Sequence, residues 1–178
     1  MFQLSAFILL LAFWQCPAAN MPAQKDFQMS QFKGQWYGIA ASSNCPMFKD
    51  MKKDMTLPII VYGMDKDNVK VAIAFKTPKG CQQMDFKYDT ISSGHYKHSS
   101  PHGDNEVVIV GTDYKAFALE YTETMHEGKT CTTLKLYGRE TNLPMEIKQQ
   151  FMAYAKNLGL TEDDTKVFSK GDLCPPHV

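Results

Sequence analysis

Val69, Val71, Ile73 and Phe75 alternate with Lys70, Ala72, Ala74 and Lys76; after the turn Thr77-Pro78-Lys79-Gly80, Met84, Phe86 and Tyr88 alternate with Asp85, Lys87 and Asp89. A period of two places successive side chains on opposite faces of an extended strand, so each run carries one apolar row. Two such runs around a tight turn form a β-hairpin. A hairpin alone is marginal in water, so this pair must join a larger sheet that covers its apolar row. Segments 35–43, 57–62, 94–98, 106–110, 114–122 and 131–137 also read as strands, divided by turn-forming residues at 63–68, 100–105 and 127–129. Eight short, evenly spaced strands predict an all-β meander that closes into a sandwich or barrel. A closed barrel of this size is either filled by side chains or holds one small ligand, and alternation alone leaves both open.

Past residue 139 the period changes. Ile147, Phe151, Tyr154, Ala155 and Leu158 recur on one face of a helix, with Asn142 available as a cap, Pro144 suited to the first turn and Gly159 as a stop. One apolar stripe predicts a helix lying against the outside of the sheet. A short extended piece is expected at Lys166-Val167-Phe168.

The chain begins differently. Phe7-Ile8-Leu9-Leu10-Leu11-Ala12-Phe13 is an apolar core followed by the small residues of Pro17-Ala18-Ala19, the pattern of a secretory signal peptide at 1–19 with cleavage after Ala19, leaving one domain at 20–178. The run is about half the roughly 20 residues a membrane span needs, so no membrane anchoring is expected. Nineteen basic residues balance nineteen acidic ones, which gives no reason to expect a nucleic-acid partner. Export implies a secreted, extracellular protein, taken to be a monomer, in an oxidising compartment. Cys16 leaves with the leader, and Cys45, Cys81, Cys131 and Cys174 can form two disulfides in any of three pairings. There is no CxxC and no Cys/His cluster, and His95 and His98, three apart on a strand, face opposite ways; no metal and no cofactor are expected.

Gly34-Gln35-Trp36-Tyr37 opens the first strand, Thr112-Asp113-Tyr114 joins two later ones, and Arg139 ends the last. Together, in this order and ahead of the helix, they resemble the three signature regions of the lipocalins, and the resemblance covers the whole chain after the leader. It implies an eight-stranded antiparallel up-and-down barrel with one C-terminal α-helix packed outside. By the same resemblance Trp36 plugs the closed end and Arg139 packs over its ring, a cation–π pair worth ~0.5–2 kcal/mol. Asp113 accepts backbone hydrogen bonds in the closed-end turn and Gly34 leaves room for the crossing chain; these roles are structural. The stretches Ala41-Ser42-Ser43-Asn44-Cys45, Thr112 to Ala118 and Leu136-Tyr137-Gly138-Arg139 are similar to the branch holding lipocalin-type prostaglandin D synthase and the lipocalin numbered fifteen. The resemblance also implies a Cys81–Cys174 bridge tying the tail to the fourth strand, about 4–5 kcal/mol in the chain-entropy picture.

If Trp36 and Arg139 meet at the closed end, the first and last strands run antiparallel side by side, and opposed positions have a constant sum. Trp36 with Arg139 gives 175 and Cys45 with Cys131 gives 176, a difference that one bulge absorbs. Cys45–Cys131 is therefore the expected second bridge, at the open mouth.

The resemblance implies a small hydrophobic ligand carried inside the barrel, of the fatty acid, retinoid, steroid or odorant class. The expected lining is Val71, Ile73 and Phe75; Met84, Phe86 and Tyr88; Phe117, Leu119 and Tyr121; Leu134 and Leu136. An isomerase resembling prostaglandin D synthase is the alternative. That chemistry uses a cysteine thiolate in the cavity on the second strand. The matching position falls near Pro58, and no cysteine lies between Cys45 and Cys81. No catalytic residue is expected.

Overall fold

The structure, a computed structural model, describes residues 21–177; the expected signal peptide at 1–19 lies outside them. A one-turn helix α1 (Met29–Phe32) precedes β1 (Gly34–Ser43), and α2 (Pro46–Met51) follows it. Then come β2 (Ile59–Asp65), β3 (Asn68–Thr77), β4 (Gly80–Ser92), β5 (His95–Ser100), β6 (Gly103–Thr112), β7 (Phe117–His126) and β8 (Lys129–Gly138). Each of β2 to β8 pairs antiparallel with its sequence neighbour, and β1 pairs with both β2 and β8. The sheet thus closes on itself, leaving no open edge among these eight strands.

Helix α3 (Met145–Asn157) lies outside. Phe151 and Ala155 bury against Ile39, Val108, Tyr121, Leu134 and Leu136. Gly159 follows its end with φ +77°, a conformation that side chains with a Cβ rarely adopt. Asn142 does not cap the helix: Pro144 holds the cap position and the Asn142 side chain accepts a bond from Lys148 Nζ at 3.3 Å. Strand β9 (Thr165–Val167) pairs with the half of β1 beyond the reach of β2. The helices α1 and α2 are too short to show a stripe in sequence.

Opposed positions of β1 and β8 total 175 at Tyr37 and Gly138, and 176 from Ala40 and Leu136 to Ser43 and Thr133. The bulge between Gly38 and Ala40 supplies the offset. Cys45 and Cys131 are bridged with Cα atoms 5.0 Å apart, and Cys81 and Cys174 with Cα atoms 5.6 Å apart.

The closed end is packed from α1 inward. Trp36 Nε1 donates to the Phe32 carbonyl at 2.9 Å and its ring packs on that of Phe32, against which Phe27 and Tyr62 also pack. Arg139 donates to the carbonyls of Gln35, Gln31, Phe32, Lys33 and Tyr114 at 2.8–3.2 Å, fastening α1 beneath the barrel. Its guanidinium also lies 3.4 Å from where a Cβ on Gly34 would stand; with φ +103° there, glycine fits both the space and the backbone. In the β6–β7 turn Asp113 Oδ1 accepts from the backbone N–H of Lys115, Ala116 and Phe117 at 2.8–3.1 Å. Thr112 Oγ1 donates to the Phe117 carbonyl at 2.7 Å and accepts from the N–H of Tyr114 at 2.9 Å.

Candidate ligand-binding site in the barrel

Strand pairing fixes which row looks inward. Trp36 opposes Ile60, Tyr62 opposes Val71, Val71 opposes Phe86, Tyr96 opposes Val107, and Ile109 opposes Glu120. Opposed residues share a face, and Trp36, Ile60, Tyr62, Val71, Tyr96, Val107 and Ile109 form one buried cluster. Val71, Ile73, Phe75, Met84, Phe86 and Tyr88 lie on this inward face, as the hairpin alternation predicts.

Phe117, Leu119, Tyr121, Leu134 and Leu136 do not. Leu119 opposes Leu136 and Tyr121 opposes Leu134 on the outer face, where they pack with Phe151, Ala155 and Leu160. The expected lining is wrong for these five residues, and the physical reason is α3. A helix seated on the barrel makes the outer row of β7 and β8 a second core, so both faces of these strands are buried. Alternation still marks two rows there, but the apolar one belongs to the helix. The unmet demand of the helical stripe for an apolar partner was the sequence signal that could have assigned it.

The inward row of β7 and β8 is polar: Glu120, Thr122, Thr133 and Lys135, with Tyr137 below. Glu120 is fully buried. Its carboxylate accepts from Lys135 Nζ at 2.7 Å, from Tyr137 Oη at 3.1 Å and from Tyr62 Oη. Burial, and then the charge of Glu120, push the hydroxyls of Tyr62, Tyr88 and Tyr137 well above the ordinary phenol range, so all three remain protonated. A buried carboxylate this well supplied with donors is compensated for its lost hydration.

Above this layer the interior opens. Ile73, Phe75 and Phe86 point inward yet are only half-buried, and Met84 is 45% exposed. Below it Trp36, Val69, Tyr96, Val107 and Ile109 are sealed. An inward side chain that meets solvent lines space, so the lower half of the barrel is a packed floor and the upper half a cup.

The histidines separate as the spacing predicts. His95 faces out and pairs with Glu106. His98 faces in, stacked on Tyr88 with ring centres 4.6 Å apart and 10° between planes. Pro58 stands opposite Gly38 immediately before β2, where a Cβ on Gly38 would come within 2.6 Å of its ring.

The sequence model of the Lipocalin / cytosolic fatty-acid binding protein family matches residues 33–172. An olfactory protein of Lithobates pipiens is 39% identical over 95% of this chain and 96% of its own. Lipocalin-15 of Homo sapiens is 30% identical over 98% and 95%, and prostaglandin-H2 D-isomerase of Mus musculus 29% identical over 93% and 90%. Among solved structures, a siderocalin, Ex-FABP, aligns with TM-score 0.70 and 22% identity over 82% of this chain and 99% of its own.

Proposed function

From a chain that belongs to the lipocalin family, we propose a secreted carrier that takes one small hydrophobic molecule into the upper half of its barrel. The observation that carries this reading is the solvent-open inward row Ile73, Phe75, Met84 and Phe86 above a sealed floor. Apolar walls favour an apolar guest by about 25 cal/mol per Å² removed from water, less the cost of ordering it. The ligand belongs to the odorant, retinoid, steroid or fatty-acid class. The similarity to a protein named for olfaction directs the first trials to odorants. The two disulfides fit an oxidising, extracellular setting.

Isomerisation of the kind catalysed by the mouse relative is the second reading, and the wall residue Pro58 weighs against it. It offers no thiol where the resemblance places the nucleophile. Cys45 is held in a disulfide with Cys131, so it supplies no thiolate in compensation.

Titration with the apolar dye N-phenyl-1-naphthylamine tests the carrier reading: saturable fluorescence enhancement at one site per chain is expected, reversed by competing hydrophobic molecules. Absence of saturable uptake by the correctly bridged protein overturns it. Trp36 is a poor reporter here, since it lies in the sealed floor beneath the Glu120 layer.

A further inference from the structure

We infer that the floor of the cup is a head-group site selecting an uncharged hydroxyl-bearing ligand over a carboxylate of the same chain length. The inference rests on the carrier reading and deepens it.

On the inward rows of β3 to β8 the charged side chains below the mouth are Glu120 and Lys135, and they neutralise each other; Lys129, on the same row of β8, stands exposed at the open end of the strand. Lys135 gives one of its three N–H donors to Glu120 and its side chain is 28% exposed, so it faces the open half of the barrel with donors to spare. His98 adds an unmet need: its Nδ1 is buried without a hydrogen-bond partner among the described residues. Burial, and then the charge of Lys135, hold this imidazole below its ordinary value against smaller opposite pulls from the Ser99 backbone and Glu120, so it is neutral at neutral pH.

The floor therefore offers spare N–H donors, one imidazole nitrogen without a partner, and no net charge. A hydroxyl suits it, accepting from Lys135 and exchanging a hydrogen bond with Nδ1. An aldehyde carbonyl can only accept. A carboxylate brings a second negative charge beside a buried one that already uses the local cation, the arrangement that raises carboxylate pKa values when two share a site. The hydrophobic chain of each would lie alike against Ile73, Met84 and Phe86.

Displacement of N-phenyl-1-naphthylamine by octan-1-ol, octanal and octanoate tests this in the full chain and in two variants. In the parent protein octan-1-ol is expected to bind more than about tenfold tighter than octanoate, with octanal between them. Glu120→Gln keeps the shape and removes the competing charge, freeing Lys135. The alcohol-to-carboxylate preference should then shrink by about tenfold or invert. His98→Phe keeps the stack on Tyr88 and removes the nitrogen; octan-1-ol should weaken about fivefold more than octanoate does. This second variant decides the matter if Glu120→Gln fails to fold. Equal preference in the parent and in Glu120→Gln, or octan-1-ol affinity unchanged relative to octanoate in His98→Phe, overturns the head-group site while leaving the carrier reading standing. Failure of the dye to bind the parent overturns both.

Discussion

The guanidinium carbon of Arg139 stands 3.7 Å above the centre of the Trp36 ring, and the same side chain bonds five backbone carbonyls of the chain around it. One residue at the end of β8 thus holds the first strand, the helix before it and the β6–β7 turn together at the closed end.

Arg139→Ala is expected to lower stability by about 2–4 kcal/mol, since it removes the cation–π contact and leaves partly buried carbonyls without donors. Arg139→Lys should restore less than half of the loss, because an ammonium cannot span carbonyls on several segments. Urea denaturation of the three proteins checks this; a loss under about 0.5 kcal/mol in the alanine variant would contradict it.

The two faces of the barrel wall should respond differently. Leu134→Ala, buried under α3, is expected to cost about 2–5 kcal/mol while dye affinity stays the same. Ile73→Trp, on the open inward row, is expected to cut dye affinity more than about tenfold by filling the cup, with the larger effect on binding rather than on stability. The reverse pattern in binding and unfolding data would place the ligand elsewhere.

Peptide mapping without reductant should return the Cys45–Cys131 and Cys81–Cys174 linkages, with none of these four cysteines alkylated in the folded protein. Replacing Cys45 and Cys131 together by alanine should lower stability by about 3–5 kcal/mol, as expected for releasing a long loop. Recovery of either cysteine as a free thiol refutes the pairing.

Asp164 accepts from the Thr161 N–H at 2.9 Å and its hydroxyl at 2.8 Å, and pairs with Lys49 at 2.9 Å. The Thr161 backbone bond, then Lys49, hold its pKa at about 2, below the ordinary 3.8. A folded-state pKa below the unfolded one adds stability above the unfolded value, and that stability disappears as pH falls through 3.8 toward 2. Asp164→Asn should therefore be less stable than the parent at neutral pH by roughly 1 kcal/mol, with the gap closing across that acid window. Urea midpoints at a series of pH values read it directly; a gap that persists at the lowest pH would assign the loss to shape rather than charge.

Local patterning was sufficient for the barrel, for the row Val71, Ile73 and Phe75 with Met84, Phe86 and Tyr88, and for the outer helix. In each, one face is apolar and one polar, so a period read along the chain already names the buried side. The Cys45–Cys131 register was also within reach, because antiparallel pairing turns it into arithmetic on position numbers, and the bulge at Gly38 and Ala40 makes up the single residue of slack. What no window of sequence could decide was which side of β7 and β8 faces the interior. Leu119, Tyr121, Leu134 and Leu136 carry the hydrophobicity there, yet α3, arriving from farther along the chain, claims them for the outside. Glu120 and Lys135 thereby enter the interior, where Tyr62 on β2 and Tyr137 on β8 join Lys135 in satisfying the buried carboxylate. Periodicity is a property of neighbours in sequence, whereas the inward sense of a strand buried on both faces depends on partners the chain supplies from a distance.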